Sequence, residues 1–305
     1  MIGPHGGVPL LESCPACGEV MDMAQIQVFT QVACSSCGFE FKARSRVGRF
    51  QILEQLAKGG TASVYRAVDS DSGAEVALKI MDPDAMEQHL SQARRIAALH
   101  HPNIVQIFDF GESQGLFFLS MEFLGGGSLD DWIFQRGRVD EAFALEVGIQ
   151  VVEGLSAAWG SGLLHRDIKP ANLLFGTPTR VKLVDFGLSA QPIGEVWGTP
   201  DYIAPEKLAE FPEDFRSDFY SLGSTLFHAL AGHPPYKTNG VSLAALRELK
   251  KHPVDLREAT SGLHQETTLL VQRMMSPDPA SRPGSHDALI SELREVLEKV
   301  HPAAH

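Results

Sequence analysis

The spacing of apolar residues changes character along the chain. From Phe50 they recur at nearly every second position in three short runs, FQILEQLA, SVYRAVD and EVALKIMD, the pattern of half-buried strands. Beyond residue 125 the period lengthens. Leu145, Ile149, Val152, Leu155 and Trp159 fall on one face of a helix, and all five are expected in the core. The closing run, Ser285 to Val300, reads as a polar-faced amphipathic helix. Between them lies LVDFG, an apolar, strand-like run carrying Asp185. The pattern predicts an α+β protein, sheet-rich first and helical second.

Before residue 46 the pattern is too thin for either kind of core. Gln25 to Val32 alternates, as do Phe39 and Phe41 with their polar neighbours, which predicts one small strand pair. All four cysteines lie here, as Cys14-Pro-Ala-Cys17-Gly and Cys34-Ser-Ser-Cys37-Gly. Two residues between thiolates let a tight turn aim both sulfurs at one ion, and Gly18 and Gly38 supply the backbone freedom such turns need. Two such turns make a closed tetrahedral site, and so small a module needs a metal to supply its folding energy. Disulfides and free thiols are the competing readings, and a cytosolic chain keeps its thiols reduced. The segment resembles a zinc ribbon, with structural Zn2+ on Cys14, Cys17, Cys34 and Cys37.

With 26 basic and 38 acidic residues in 305, the formal charge is −12, which argues against a general nucleic-acid binder. Four basic side chains between Lys42 and Arg49 read as a solvated linker. No apolar run approaches a membrane helix. The strongest candidate, GLFFLSMEFLGGG, is short and contains Glu122. The N-terminus has no secretion signal, so a cytoplasmic location without membrane association is expected.

The candidate chemistry centres on LHRDIKPANLL, residues 164–174. Asp167 is placed to accept a proton from an attacking hydroxyl, Lys169 to neutralise a moving phosphoryl group and Asn172 to hold a metal ion. Asp185 adds a second carboxylate. One carboxylate beside one amide suits Mg2+, which keeps most of its shell for phosphate and water oxygens. Upstream, Lys79 ends the apolar strand VALK, and Ala57-Lys58-Gly59-Gly60-Thr61-Ala62 is a loop whose amides are able to close over phosphates.

Taken as an ordered series, VALK, LHRDIKPANLL, DFG and Ala204-Pro205-Glu206 resemble the eukaryotic-type protein kinase domain, in the manner of the bacterial Hanks-type serine/threonine kinases. The resemblance covers residues 48 to about 300. It implies a two-lobed α+β fold with a small β-rich lobe (48–124) and a large helical lobe (125–300), behind a zinc-ribbon module (1–45). It also implies MgATP in the cleft between the lobes and transfer of the γ-phosphoryl to serine or threonine hydroxyls of protein substrates. Asp167 would then be the base, with Lys169 offsetting charge and Asn172 and Asp185 holding the metal. Lys79 would grip the α- and β-phosphates. Leu56, Ala57, Lys58, Gly59, Gly60 and Val64 would cover the nucleotide, and Ala77 would line its other edge. Met121 would stand at the back, Glu122 and Leu124 would pair with adenine through their backbone, and Ser128 would face the ribose. Thr199 would contact substrate and Lys169. Glu206 with Arg282, and Asp218 as a cap on the catalytic loop, would be structural. Arg166 occupies the place of an arginine that docks a phosphorylated loop residue, but Ala190 to Gly198 contains no hydroxyl.

Two departures from the family pattern stand out. Ala57 and Ala62 replace the first and third glycines of the Gly-rich loop, and Gln92 stands where a glutamate would pair with Lys79; Glu87 lies about 140° round the helix. They motivate an alternative, a nucleotide-binding pseudokinase or scaffold. The ribbon, with four sulfur ligands and no open position, is expected to be structural or to bind a partner protein.

Overall fold

The computed structural model describes residues 11–22, 31–42, 46–58, 62–81, 86–113, 115–186, 200–236, 238, 241–252 and 254–301. Gln25 to Thr30, Gly59, Gly60, Thr61 and Ala190 to Thr199 lie outside them, as does the side chain of Glu87.

The cysteine segment holds two hairpins built alike. Strands β1 (Leu11–Ser13) and β2 (Val20–Asp22) pair antiparallel, and so do β3 (Gln31–Ala33) and β4 (Glu40–Lys42). In the first turn the Cys14 amide donates to Glu19 O at 2.7 Å and the Gly18 amide to Cys14 O at 2.9 Å. Twenty residues on, Cys34 donates to Phe39 O and Gly38 to Cys34 O, both at 2.9 Å. Gly18 and Gly38 have φ of 75° and 72°, where a side chain would be strained. The sequence pattern had suggested one strand pair across both motifs. The structure instead wraps each motif in its own hairpin, because three-residue strands carry too little alternation to be read.

The chain divides into two compact units, Met1–Ala97 with Gln106–Phe123, and Ala98–Val105 with Leu124–His305. The first contains an antiparallel sheet of order β5-β6-β7-β8-β10-β9, formed by Arg46–Val47, Phe50–Lys58, Ala62–Asp69, Glu75–Met81, Leu116–Glu122 and Ile107–Ser113 in that order. One face buries Phe50, Ile52, Tyr65, Ala67, Val76, Leu78 and Phe118. Helix α1 (Met86–Ala97) buries Ala93 and Ile96, and Gln92 on it is half-buried.

The second unit is helical, with one small hairpin. Its elements are α2 (Leu129–Arg136), α3 (Glu141–Gly160), β11 (Leu173–Thr177), β12 (Arg180–Leu183), α4 (Pro205–Leu208), α5 (Phe215–Ala231), α6 (Leu243–Leu249), α7 (Leu256–Ala259), α8 (Gln265–Met274) and α9 (His286–Val300). Residues 98–105 join this unit because Leu183 exchanges backbone hydrogen bonds with Asn103 (2.8 Å) and Val105 (3.0 Å). Asp140 and Ser285 cap α3 and α9.

Helix α3 packs on α5, α9 and β12 and buries Leu145, Ile149, Val152 and Leu155. Trp159 departs from the expected stripe. It is 42% exposed and leans its ring on Phe215 at 5.5 Å, while Ala158 takes the buried position in the last turn of α3. At Gly154 a Cβ would lie 2.9 Å from Leu183 Cδ1, so glycine lets β12 approach the helix. Among the described residues, α3 is also the one helix long and apolar enough to cross a membrane by length and composition, and half of it is buried in this unit. The sequence reading overlooked it because its apolar residues are interleaved with Glu146, Gln150 and Glu153 rather than continuous.

Candidate active site

Strand β12 ends at Leu183, and Asp185 two residues on has a left-handed φ of 60°. Facing this turn is the loop that precedes β11. Its Arg166 is left-handed too, at 66°, a conformation that costs a non-glycine residue on the order of 1 kcal/mol or more and persists only when neighbours enforce it. They do so here. Buried Asp218 on α5 accepts the amides of His165 (2.9 Å) and Arg166 (2.8 Å), and Lys207 Nζ donates to Arg166 O at 3.0 Å.

His165 locks the two strands of the site together. It is fully buried, its Nδ1 accepts the Asp167 amide at 3.3 Å, and Nε2 stands 2.9 Å from Val184 O. Those contacts place the ring proton on Nε2. Burial pushes the imidazole down to about 4, so the ring is neutral at pH 7. Phe186 tilts against it at 4.4 Å. Burial pushes the Asp218 carboxyl up to about 6, against the two amides that favour its charged form.

Asp167, Lys169 and Asn172 come together on this scaffold. Asp167 Oδ2 accepts from Lys169 Nζ and from Asn172 Nδ2, each at 2.8 Å, and Asn172 Nδ2 also reaches Asp167 O at 2.7 Å. Asn172 is buried, and its backbone carbonyl accepts the Val184 amide at 3.1 Å, which places Asp185, the residue after Val184, close by along the chain. Asp167 remains 37% exposed at its side chain, so a solvent-borne group can reach it.

The remaining sequence-derived residues are placed as follows. In the sheet unit Lys79 is buried on β8, opposite Val64 and Leu119, and Ala77 lies opposite Met121; Ala77 and Met121 are buried and Val64 is half-buried. Leu56, Ala57 and Lys58 are exposed at the end of β6. The Glu122 carboxylate accepts the Gln106 amide at 2.8 Å. In the helical unit Leu124 is buried, and Ser128 is the N-cap of α2, sharing a capping box with Asp131 in which its hydroxyl accepts the Asp131 amide at 3.1 Å and Asp131 Oδ2 accepts the Ser128 amide at 2.7 Å. Glu206 and Arg282 form a buried two-pronged ion pair (2.6 and 2.8 Å), joined by Ser217 at 2.7 Å. Sequence reasoning missed three contacts around the loop: the Val184 carbonyl, Lys207 on Arg166 O, and Glu213, whose carboxylate takes Arg166 Nε at 3.2 Å. None has a spacing signature, since each partner arrives from a separate element.

The four cysteine sulfurs lie within 4.8 Å of one another, Cys14 to Cys37 at 3.7 Å and Cys17 to Cys34 at 3.6 Å. Tetrahedral bonds of about 2.3 Å to one zinc would set the sulfurs about 3.8 Å apart, so the cluster fits that ion. Backbone amides, first that of Cys37 and then that of Ser36, draw the Cys34 thiol down to about 7.

A six-stranded antiparallel sheet carrying a buried lysine, and a helical unit whose loop presents Asp167, Lys169 and Asn172, define the protein kinase fold. The chain belongs to the protein kinase domain family, whose model matches residues 50–293. Serine/threonine-protein kinase PknA of Mycobacterium tuberculosis is 35% identical over 227 residues, covering 68% of this chain and 53% of that protein. Serine/threonine-protein kinase PknL of the same species is 32% identical over 265 residues (83% and 66%), and pkn2 of Myxococcus xanthus 33% over 277 (84% and 33%). The chain thus spans between a third and two thirds of these relatives' length. Among solved structures, Rad53 1–466 in complex with AMP-PNP aligns with a TM-score of 0.68 and 26% identity, covering 80% of this chain and 64% of that one.

Proposed function

We propose that this chain is a serine/threonine protein kinase that transfers the γ-phosphoryl group of ATP to protein hydroxyls. The observation that carries this is the Asp167 carboxylate, half-exposed yet held through one oxygen by both Lys169 and Asn172 at 2.8 Å. The oxygen not so held is the one to accept the substrate hydroxyl's proton, and the fixed carboxylate orients that hydroxyl for in-line attack. Lys169 is placed to offset charge on the moving group.

The donor set fits a nucleotide-bound Mg2+. Asn172 uses its amide nitrogen on Asp167, which leaves the amide oxygen for a hard cation, and Asp185 supplies a carboxylate. When bound, MgATP supplies the phosphoryl group and the cation that neutralises its oxygens. In the sheet unit Lys79 takes the α- and β-phosphates, with Val64, Ala77 and Met121 as apolar walls for the base. Thr199 and Lys169 favour serine and threonine acceptors.

The same reading gives Cys14, Cys17, Cys34 and Cys37 a structural Zn2+ in a cytoplasmic, reducing setting. With all four ligands sulfur, the module contributes folding and contact with a partner protein, and no chemistry.

Asp167→Asn tests the assignment. Phosphate transfer from radiolabelled ATP to myelin basic protein is expected to fall about a hundred- to ten-thousandfold. The melting temperature should move by less than about 4 °C, since Asn keeps an acceptor for Lys169. Equal labelling by wild type and variant would remove the kinase reading and leave a nucleotide-binding scaffold.

A further inference from the structure

Lys250, at the C-terminal end of α6, is fully buried. Lysine is almost never found so, and when it is, its ammonium needs donors' partners and a counter-charge to remain. Here Nζ donates to the backbone carbonyl of Asp201 at 2.9 Å and stands over two aromatic rings, Tyr220 at 5.1 Å and Tyr236 at 4.8 Å from their centroids. The Asp201 carboxylate is bound separately, accepting the Thr238 hydroxyl at 2.9 Å. Desolvation by this setting draws the ammonium down to about 7, with Asp201 and Glu206 opposing it.

Asp201 is the middle residue of a short turn, Pro200–Tyr202, that is followed closely by Ala204 and Glu206. The far end of this stretch is fixed by the Arg282 to Glu206 pair, and the Arg282 guanidinium lies 5.0 Å from the same Tyr220 ring that Lys250 approaches. The stretch 201–206 is therefore held at both ends by buried basic side chains sharing one tyrosine. A methionine here would have a similar length and no ammonium to desolvate. The lysine is better explained by what it holds than by the stability it adds.

We infer that Lys250, with Thr238, is a positioning residue for the Pro200–Glu206 segment, fixing the backbone that follows Thr199 and so setting how the protein substrate is bound. The inference rests on the kinase reading for its link to substrate, but not for the claim about the segment. Lys250 touches no reacting atom, and its effect passes through the Asp201 carbonyl.

The test is Lys250→Met on the full chain, read in two ways. By hydrogen exchange, amides of residues 201–206 should exchange roughly three- to tenfold faster, the loss expected for one hydrogen bond, while those of α3 and α5 keep their wild-type protection. In steady-state phosphorylation of myelin basic protein, KM for the protein should rise by a similar factor, with KM for ATP unchanged. Wild-type exchange in 201–206, or equal changes in both KM values, overturns the inference. If the wild type transfers no phosphate at all, the kinase reading falls, and the exchange result still decides the positioning claim. Should Lys250→Met fail to fold, Thr238→Val decides. It removes only the contact to the Asp201 carboxylate, and faster exchange in 201–206 supports the inference whereas unchanged exchange overturns it.

Discussion

The catalytic loop and the four-cysteine module both gather polar side chains at tight turns, yet they hold them by opposite means. Around Asp167 every neighbour is itself fixed. Asp218 holds two amides, His165 bridges to Val184, Lys207 holds Arg166, and the Asp167 carboxylate accepts from Asn172. Remove any one and several remain. The module has two hairpins of three-residue strands, with Cys14 and Cys34 as its buried side chains among the described residues and Val20 and Phe39 exposed. Among the described residues, its four sulfurs meet one another and the turn amides. A site embedded in a large unit can be organised before its ligand arrives, whereas a module with no core must take its order from an ion.

The largest expected effect breaks the weaker partner. With zinc removed by a chelator under reducing conditions, amide protection in 11–22 and 31–42 should vanish, because metal binding of roughly 10–16 kcal/mol is what folds such segments. Amides of the catalytic loop should keep theirs. Metal analysis should show one zinc per chain before treatment and none after. Protection that survives chelation but disappears with a disulfide reductant would replace the metal with disulfides.

This contrast was only half legible in the sequence. The cysteine spacing is local, so the clustering of the four sulfurs could be read directly, and Asp167, Lys169 and Asn172 lie within six residues of one another. What enforces the loop is not local. Asp218 lies more than fifty residues from the amides it caps, and could be placed only through the family resemblance. Lys207 and Glu213 have no pattern of their own, and Lys250 sits at the end of a short helix where a lysine is ordinarily solvated. Trp159 shows the converse limit. Periodicity gives the face of a helix but not which of two neighbours at its edge, Ala158 or Trp159, turns inward.

A smaller effect probes a buried ion pair that helps to secure the helical unit. The Arg282 side chain is wholly buried and Glu206 nearly so, and Arg282 holds the Glu206 carboxyl below its usual range against the pull of burial. Arg282→Met strands a buried carboxylate and should cost about 3–5 kcal/mol in urea unfolding. Replacing both, Arg282→Met with Glu206→Leu, should recover part of that loss. A single substitution costing under about 1 kcal/mol, or a double no better than the single, would show that the pair is not what secures the unit.

The smallest effect is in acid, and it depends on two signs that oppose. His165 is held near 4 against an ordinary 6.5, so its stabilising contribution is complete above pH 6.5 and is lost as pH falls through 4. Asp218 is held near 6 against 3.8, so its contribution is complete below 3.8 and is lost as pH rises through 6. Each is worth about 3 kcal/mol across the window, in opposite directions, so the loop's own pH dependence nearly cancels. Glu206 and the surface carboxylates also weaken the fold in acid, but equally with or without Asp218. Asp218→Asn removes one side of the balance. Its stability should therefore fall more steeply than wild type between pH 6.5 and 4, by about 3 kcal/mol in paired urea titrations. Parallel curves would mean that His165 and Asp218 do not balance, and that the loop, like the module, depends on something outside its own buried residues to keep its shape in acid.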